Sequence, residues 1–379
     1  MHVIGTIYTL YNRRAGVELY FERVLRCLSS LNKYKIFVFC NDEAHAVLTE
    51  LAFANVLLVK TQMLNNQYSK ALWLECYSKR AIQELRINLF WIPSGTNHFP
   101  GKYSIPTVVT FHDFGELHIK QKYDFTRTFY RKHVCIKRSI NRATVLTSIS
   151  ETTRRDIKEY YGKDSEMIYS GPSPHDLNEM DRFTAFRILK NETRFDLTKD
   201  FYIAIGRTDY IGKGLDVLLK AHQSVNADSR ARNLNLILCG PAGEDHEKFL
   251  NHLHCLDPDR VQYLGRVSND VLTALYCTAK FVVFPSRFEG FGFPVLEAYQ
   301  HKVPIIVSNG GSLPEIAGNG ALIFNVGDSA ELTEKIVALY SNQDIQNNLV
   351  FNGQVELKKY SWEITKSKME ALFDAVLAT

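Results

Sequence analysis

No apolar run in the 379-residue chain approaches the ~20 residues that a membrane-spanning helix requires. There is no internal repeat and no low-complexity tract, so solenoid and disordered classes are set aside. Seven cysteines, at 27, 40, 76, 135, 239, 255 and 277, include no C-x-x-C pair. An odd, dispersed set of this kind reads as reduced thiols, mostly buried, rather than as a disulfide framework. The first residues, MHVIGTIYTLYNRRAG, carry their basic residues after the apolar run and lack a small-residue cleavage site. They read as a first strand, not a signal peptide, and a cytoplasmic protein is expected.

What is present is enough material for two cores. The length is long for one domain and comfortable for two. Apolar residues make up 45% and charged residues 23%, ordinary globular values. The net charge of +4 hides an asymmetry: residues 1–190 balance at +9 and residues 191–379 at −5. A basic half suggests an anionic partner, whether a membrane surface, a lipid phosphate or nucleic acid. No nucleic-acid-binding motif accompanies it.

The chain is organised around Phe281–Glu297, FVVFPSRFEGFGFPVLE. Phe281 to Phe284 form an apolar β-branched and aromatic run, a short buried strand. Pro285 and Ser286 end it, and a glycine-spaced loop through Glu289, Phe291, Gly292 and Phe293 follows. Pro294 suits the first turn of a helix, where its missing N–H costs nothing. Strand, glycine loop and helix N-terminus leave several amides aimed at one spot, with the positive end of a helix dipole behind them. Glu289 and Glu297 bracket that spot. Carboxylates accept hydrogen bonds from sugar hydroxyls and free amides donate to sugar oxygens, so a polyhydroxylated ligand fits.

Glu289 and Glu297, with the seven residues GFGFPVL between them, resemble the E-x7-E signature of the retaining nucleotide-sugar glycosyltransferases usually numbered family four. Sucrose synthases and bacterial lipopolysaccharide mannosyl- and glucosyltransferases typify that family. The resemblance runs over nearly the whole chain. It implies an α/β GT-B fold of two Rossmann-like domains facing across a central cleft. The expected division is an acceptor-side domain at 1–190, a donor-binding domain at 191–361 and a closing helix at 362–379 returning to the first domain.

Several other segments are similar to family patterns. Gly16, after the first strand, stands where a glycine turn approaches the donor diphosphate, although Ala15 replaces a second glycine. A buried strand from Pro106 ends in His112-Asp113, and strand carboxyl ends are where ligands sit in such sheets. The resemblance brings His112 near the transferred sugar and the acceptor. Gly206-Arg207 and Lys213-Gly214 match the basic pair that binds the diphosphate, and two fixed cations can neutralise a departing pyrophosphate. Backbone near Arg266 and Val267 would meet the nucleobase. Ser308–Glu315, SNGGSLPE, is another glycine loop on the same edge. His118–Arg142 is strongly basic, with Phe125, Phe129, Val134, Ile136 and Ile140 interleaved. It reads as a solvated helix face or as a helix held on anionic lipid, where each basic residue contributes ~1 kcal/mol. Residues 170–198 read as the linker.

The resemblance implies a hexosyltransferase that retains anomeric configuration and takes a nucleotide sugar as donor and a saccharide or lipid-linked saccharide as acceptor. Glu297 would accept from the ribose, Arg207 and Lys213 would hold the diphosphate, and Glu289 with the amides of Phe291, Gly292 and Phe293 would hold the hexose. No cofactor and no metal are expected, since no Asp-x-Asp stands in the usual metal-binding context. Bacterial surface polysaccharide or lipopolysaccharide assembly is the expected setting. The rivals are an epimerase or phosphorylase on the same fold, and a non-catalytic nucleotide-sugar or lipid binder. A glycogen-type phosphorylase would need a pyridoxal-phosphate lysine, and none is identifiable.

Overall fold

The computed structural model describes residues 1–11, 16–119, 125–172, 180–193 and 196–378. Ala15, named above, and residues 120–124 of the basic stretch lie outside them, as do 173–179 and 194–195 of the expected linker. The chain divides into two compact units, Met1–Pro174 with Tyr360–Thr379, and His175–Lys359. The division thus falls at 174/175 and 359/360 rather than at 190 and 361. In chain order the first unit contains β1 (His2–Tyr8), α1 (Gly16–Ser29), β2 (Tyr34–Cys40), α2 (Asp42–Leu51), β3 (Val56–Lys60), α3 (Gln67–Leu72), α4 (Ser78–Glu84), β4 (Leu89–Ile92), β5 (Thr107–Phe111), α5 (Gly115–His118), α6 (Phe125–Tyr130), α7 (Lys137–Arg142), β6 (Val145–Ser148), α8 (Glu151–Tyr161) and β7 (Glu166–Met167).

Its strands pair in parallel in the order β3-β2-β1-β4-β5-β6-β7. The inner strands are near-continuous apolar runs because helices cover both faces; β4, LFWI, and β5, TVVTF, are buried throughout. The strand order reverses between β1 and β4, the switch point where open α/β sheets bind ligands. Two helical stretches, from α3 to α4 and from α6 to α7, each contain a turn of π-helix, at Trp73–Tyr77 and Arg131–Ile136. Such turns insert one residue and are frequent at functional sites.

The second unit contains α9 (Arg182–Glu192), β8 (Phe201–Ile205), α10 (Leu215–Ala227), β9 (Asn235–Cys239), α11 (His246–His254), β10 (Val261–Tyr263), α12 (Asn269–Thr278), β11 (Val282–Phe284), α13 (Phe293–Gln300), β12 (Ile305–Ser308), α14 (Leu313–Ala317), β13 (Ala321–Phe324), α15 (Ser329–Ser341) and α16 (Gln343–Leu357). The sheet order is β10-β9-β8-β11-β12-β13, again parallel, with the switch between β8 and β11. One core cluster joins Leu218, Leu236, Val283, Ile306 and Ile336 across it.

Two expectations are corrected. The stretch read as a linker contains α9, capped by Asp181, whose carboxylate accepts from Thr184 N. Ala185 and Leu189 are fully buried, and α9 packs on α12. The thiols are not mostly buried: Cys40, Cys135 and Cys239 are, Cys27 and Cys277 are half-buried, and Cys76 and Cys255 are exposed. The last helix, α17 (Trp362–Leu377), packs against α1 within the first unit. The fold is α/β of GT-B type, with two Rossmann-like domains.

Candidate functional site

In the second unit the expected residues gather at the carboxyl ends of β8 and β11. The chain leaves β8 at Gly206, and Arg207 follows. Asp209 accepts from Gly212 N at 2.9 Å, winding the next residues into a compact turn. Gly214 closes that turn with φ +64°, and a Cβ there would stand 2.1 Å from Pro285 O. Glycine is required on both counts. The consequence is that Lys213 is delivered against the β11 exit. Arg207, Lys213, Phe284 and Pro285 line one small pocket.

Lys213 Nζ lies 2.5 Å from Glu289 Oε1, with side-chain exposures of 21% and 16%. It also sits 5.7 Å from the centre of the Phe284 ring. The two residues assigned to diphosphate and sugar are therefore direct partners, seventy-six positions apart. The Arg207 guanidinium has no protein partner among the described residues and is half-buried.

The Glu289 loop is held from three sides. Arg287 makes a two-pronged ion pair with Asp216 at 2.7 Å for each prong, fastening the loop to the first turn of α10. Ser312 N and Oγ donate to Glu289 O at 2.9 and 3.0 Å, and the same hydroxyl is 2.9 Å from Phe291 O. Gly311, at φ +63°, would put a Cβ 2.3 Å from Glu289 O, so the second glycine loop is a strap pressed against the first. Phe291 is buried and its ring lies 5.2 Å from that of Phe293. Gly292 caps α13, whose first-turn amides have no partner inside the helix.

Glu297, one turn into α13, is 3% exposed. Its Oε2 accepts from Tyr276 Oη at 2.7 Å. Burial and the adjacent carboxylate hold the Tyr276 phenol protonated, its pKa well above the usual value. Glu297 is thus placed by a partner from α12 that the sequence motif did not include. Arg266 is exposed and Val267 half-buried just past β10, on the same edge of the sheet. Gly265 O there accepts from Gly240 N at 2.8 Å. Thr208 contacts His246 Nδ1 at 2.6 Å, and Tyr263 Oη donates to Gly240 O at 2.7 Å, so neighbouring strand exits are tied together.

In the first unit, Gly16 opens α1. His112 follows β5 and is 6% exposed. Its Nε2 is 2.8 Å from the Pro93 carbonyl, which can only accept, so Nε2 carries the proton. Burial lowers the pKa, and the ring is neutral with Nδ1 as its acceptor. Tyr20 packs edge-on at 4.8 Å between ring centres, and Thr153 Oγ1 holds the His112 carbonyl at 3.0 Å.

The basic stretch is corrected in part. Arg131 is 7% exposed and binds both oxygens of Glu116 at 3.2 and 3.3 Å and Asn97 at 2.6 Å. Arg138 and Arg142 pair with Glu75 at 3.2 and 2.8 Å, and Arg138 also covers Phe99. These cations satisfy buried or half-buried acids of their own unit, which is why the helix carries them. Arg131 and Arg142 are therefore engaged inside their own unit, while the Arg138 side chain stays 40% exposed. Among the described residues no helix is long and apolar enough to cross a membrane, and no group of three or more His, Cys, Asp or Glu is gathered as a metal would need.

Two family models match the chain: Glycosyltransferase Family 4 over residues 14–175 and Glycosyl transferases group 1 over residues 186–355. The chain is 26% identical over 288 residues to O-antigen chain mannosyltransferase B of Escherichia coli, covering 76% of this chain and 75% of that protein. It is 29% identical over 226 residues to O-antigen chain mannosyltransferase RfbU of Salmonella typhimurium, covering 58% and 57%. Among solved structures it resembles sucrose-phosphate synthase from Thermosynechococcus elongatus, with TM-score 0.74, 17% identity and all of both chains covered. It also resembles Anabaena HepE in complex with UDP-glucose, with TM-score 0.76, 16% identity, and 99% and 100% covered.

Proposed function

The chain belongs to glycosyltransferase family 4, and from that premise we propose that it moves a hexose from a nucleoside-diphosphate sugar to a saccharide acceptor with retention of anomeric configuration. Two relatives bear names of O-antigen mannosyltransferases, so mannose is the first sugar to try and surface-polysaccharide or lipopolysaccharide assembly the setting. The observation that carries the reading is the contact of Lys213 with Glu289 at 2.5 Å, next to Arg207, which has no partner among the described residues, and the α13 N-terminus. A cation and a carboxylate side by side suit the junction of a diphosphate and a hydroxylated ring.

In this mechanism Arg207 and Lys213 neutralise the charge that grows on the leaving diphosphate. Glu289 orients Lys213 and accepts from hexose hydroxyls, while the amides of Phe291, Gly292 and Phe293 donate to the hexose. Glu297, fixed by Tyr276, accepts from the ribose. The acceptor attacks the face that the leaving group departs from, and the departing phosphate takes the acceptor proton. His112, as a neutral imidazole, accepts a hydrogen bond from a sugar hydroxyl through Nδ1. No metal is required, because the fixed cations supply the charge, and transfer is expected to persist in a chelator. Among the described residues of the basic stretch, exposed Lys137, half-buried Lys132 and the 40%-exposed Arg138 side chain would meet an anionic membrane partner.

The test is incubation with labelled nucleotide sugars, mannose donors first, and a crude extract of lipid-linked saccharides. Label moving to product supports the proposal. Label retained on the protein without product makes the chain a binder and overturns it.

A further inference from the structure

Lys70, on α3, is buried to 5% exposure, yet no carboxylate or carbonyl among the described residues receives its ammonium group. Its Nζ lies 5.1 Å from the centre of the Tyr11 ring. That ring is itself fixed by a 2.8 Å hydrogen bond from its hydroxyl to Leu64 O. A buried cation with no acceptor is costly unless something pairs with it. Burial accordingly lowers the Lys70 pKa to about 8, with the charge of Glu18 acting in the opposite sense.

The surroundings are those of a ligand site. Thr9 and Tyr11 follow β1, and His98 lies in the loop after β4, so the cluster sits at the switch point of the first sheet. His98 is 7% exposed. Its Nε2 is 3.1 Å from Thr9 Oγ1, and its Nδ1 is buried with no hydrogen-bond partner among the described residues. One π-helical turn begins three residues after Lys70, and the other, distant in sequence, carries Arg131, which reaches Asn97 beside His98. Unlike Lys70, Arg131 is fully engaged by Glu116 and Asn97.

We propose that Lys70 is a recognition residue for a phosphate group on the acceptor, with His98 and Thr9 as neutral polar partners beside it. A phosphate offers several acceptor oxygens to the three donors of one ammonium and supplies the missing charge. The inference rests on the glycosyltransferase reading and deepens it by naming an acidic acceptor class. The phosphate belongs either to a phosphorylated sugar or to the diphosphate of a lipid carrier.

Calorimetric titration of the whole chain at neutral pH, with mannose 1-phosphate in one arm and farnesyl diphosphate in the other, tests it. At least one probe is expected to bind, and Lys70→Met is expected to weaken that probe at least tenfold. Binding of the sugar phosphate alone points to the soluble source, and of the polyprenyl diphosphate alone to the lipid source. Lys70→Met is also expected to melt at the same temperature as the parent or higher, because an unpaired buried charge has been removed. If neither probe binds, if Lys70→Met binds as well as the parent, or if it melts several degrees lower, Lys70 is not a phosphate-recognition residue. GDP and UDP titrations on the same samples report on the second unit: their loss in the parent would strike the donor reading, not this one.

Discussion

The two units each carry an ion pair beside their switch-point loops, and the pairs differ in burial. Arg131 and Glu116 in the first unit have side-chain exposures of 9% and 1%. Lys213 and Glu289 in the second have 21% and 16%. The first is sealed, two-pronged and further satisfied by Asn97. The second meets through single atoms at the lip of a pocket. A sealed pair has repaid its desolvation within the fold, so its loss is felt as instability. An open pair keeps access to solvent and ligand, so its loss is felt as chemistry.

The largest effect expected from this comparison is on the sealed pair. Glu116→Gln leaves the Arg131 guanidinium buried without its carboxylate and should cost ~3–5 kcal/mol of unfolding free energy, read as a lower urea midpoint. If Glu116→Gln costs less than about 1 kcal/mol, the pair is not sealed in solution and the contrast between the units disappears.

The open pair should behave the other way round. Glu289→Gln is expected to lower transfer on the order of 10²–10³-fold, the range for losing one preorganised electrostatic group. Its urea midpoint should move by less than about 1 kcal/mol equivalent. Lys213→Met should act alike, and the double variant should lose less than the product of the two, since the partners touch. Full additivity would mean that the 2.5 Å contact plays no part in turnover.

Titration extends the contrast to a buried group with no ion partner. His222, in the second core, is fully buried and lies 2.9 Å from Tyr202 Oη through Nδ1. Burial lowers its pKa to about 4, below the ~6.5 of an unfolded histidine. Below pH ~6.5 the unfolded chain therefore takes up a proton that the folded chain refuses. Above that pH both states are neutral and the effect vanishes. Stability should fall by about 3 kcal/mol as pH drops from ~6.5 to 4 through this group alone. The difference between parent and His222→Gln urea midpoints across that range isolates it, and parallel curves would show that His222 keeps an ordinary pKa.

What could be read before folding follows the same division. The second-unit site was legible because its geometry is largely local. Glu289 and Glu297 share one glycine loop and one helix, and Gly214 sets Lys213 within a single turn. The strands Leu89–Ile92 and Phe201–Ile205 were likewise legible as short apolar runs, as was Tyr34–Cys40 despite Lys35. Partners that arrive from a distance were not legible. Ser312 on Glu289 O, Tyr276 on Glu297 and Asp216 on Arg287 join residues with no common periodicity. The helix α9 was hidden because its apolar residues count only once α12 lies over them. The basic stretch looked like a surface because its acids, Glu75 and Glu116, come from other elements.

The smallest expected effect completes the series. Lys33, just before β2, reaches Asp374 at 2.5 Å and Glu370 at 2.6 Å on α17, with side-chain exposures of 36%, 46% and 30%. Two acids within reach of one cation look like the device that fastens the last helix to its unit. Exposed pairs, however, trade Coulomb energy against side-chain entropy and screening, leaving ~0–1 kcal/mol. The fastening lies in the apolar face instead. Met369 and Phe373 are fully buried, and the Phe373 ring stands 6.2 Å from those of Trp91 and Tyr34. Tyr34 Oη also donates to Asp374 Oδ1 at 2.8 Å, so that carboxylate keeps a partner when the lysine is gone. Lys33→Met should therefore shift the urea midpoint by less than about 1 kcal/mol equivalent, and the shift should shrink further in 1 M salt. A loss as large as that of Glu116→Gln would show that the α17 ion pair behaves as a sealed one and that exposure alone does not rank the three.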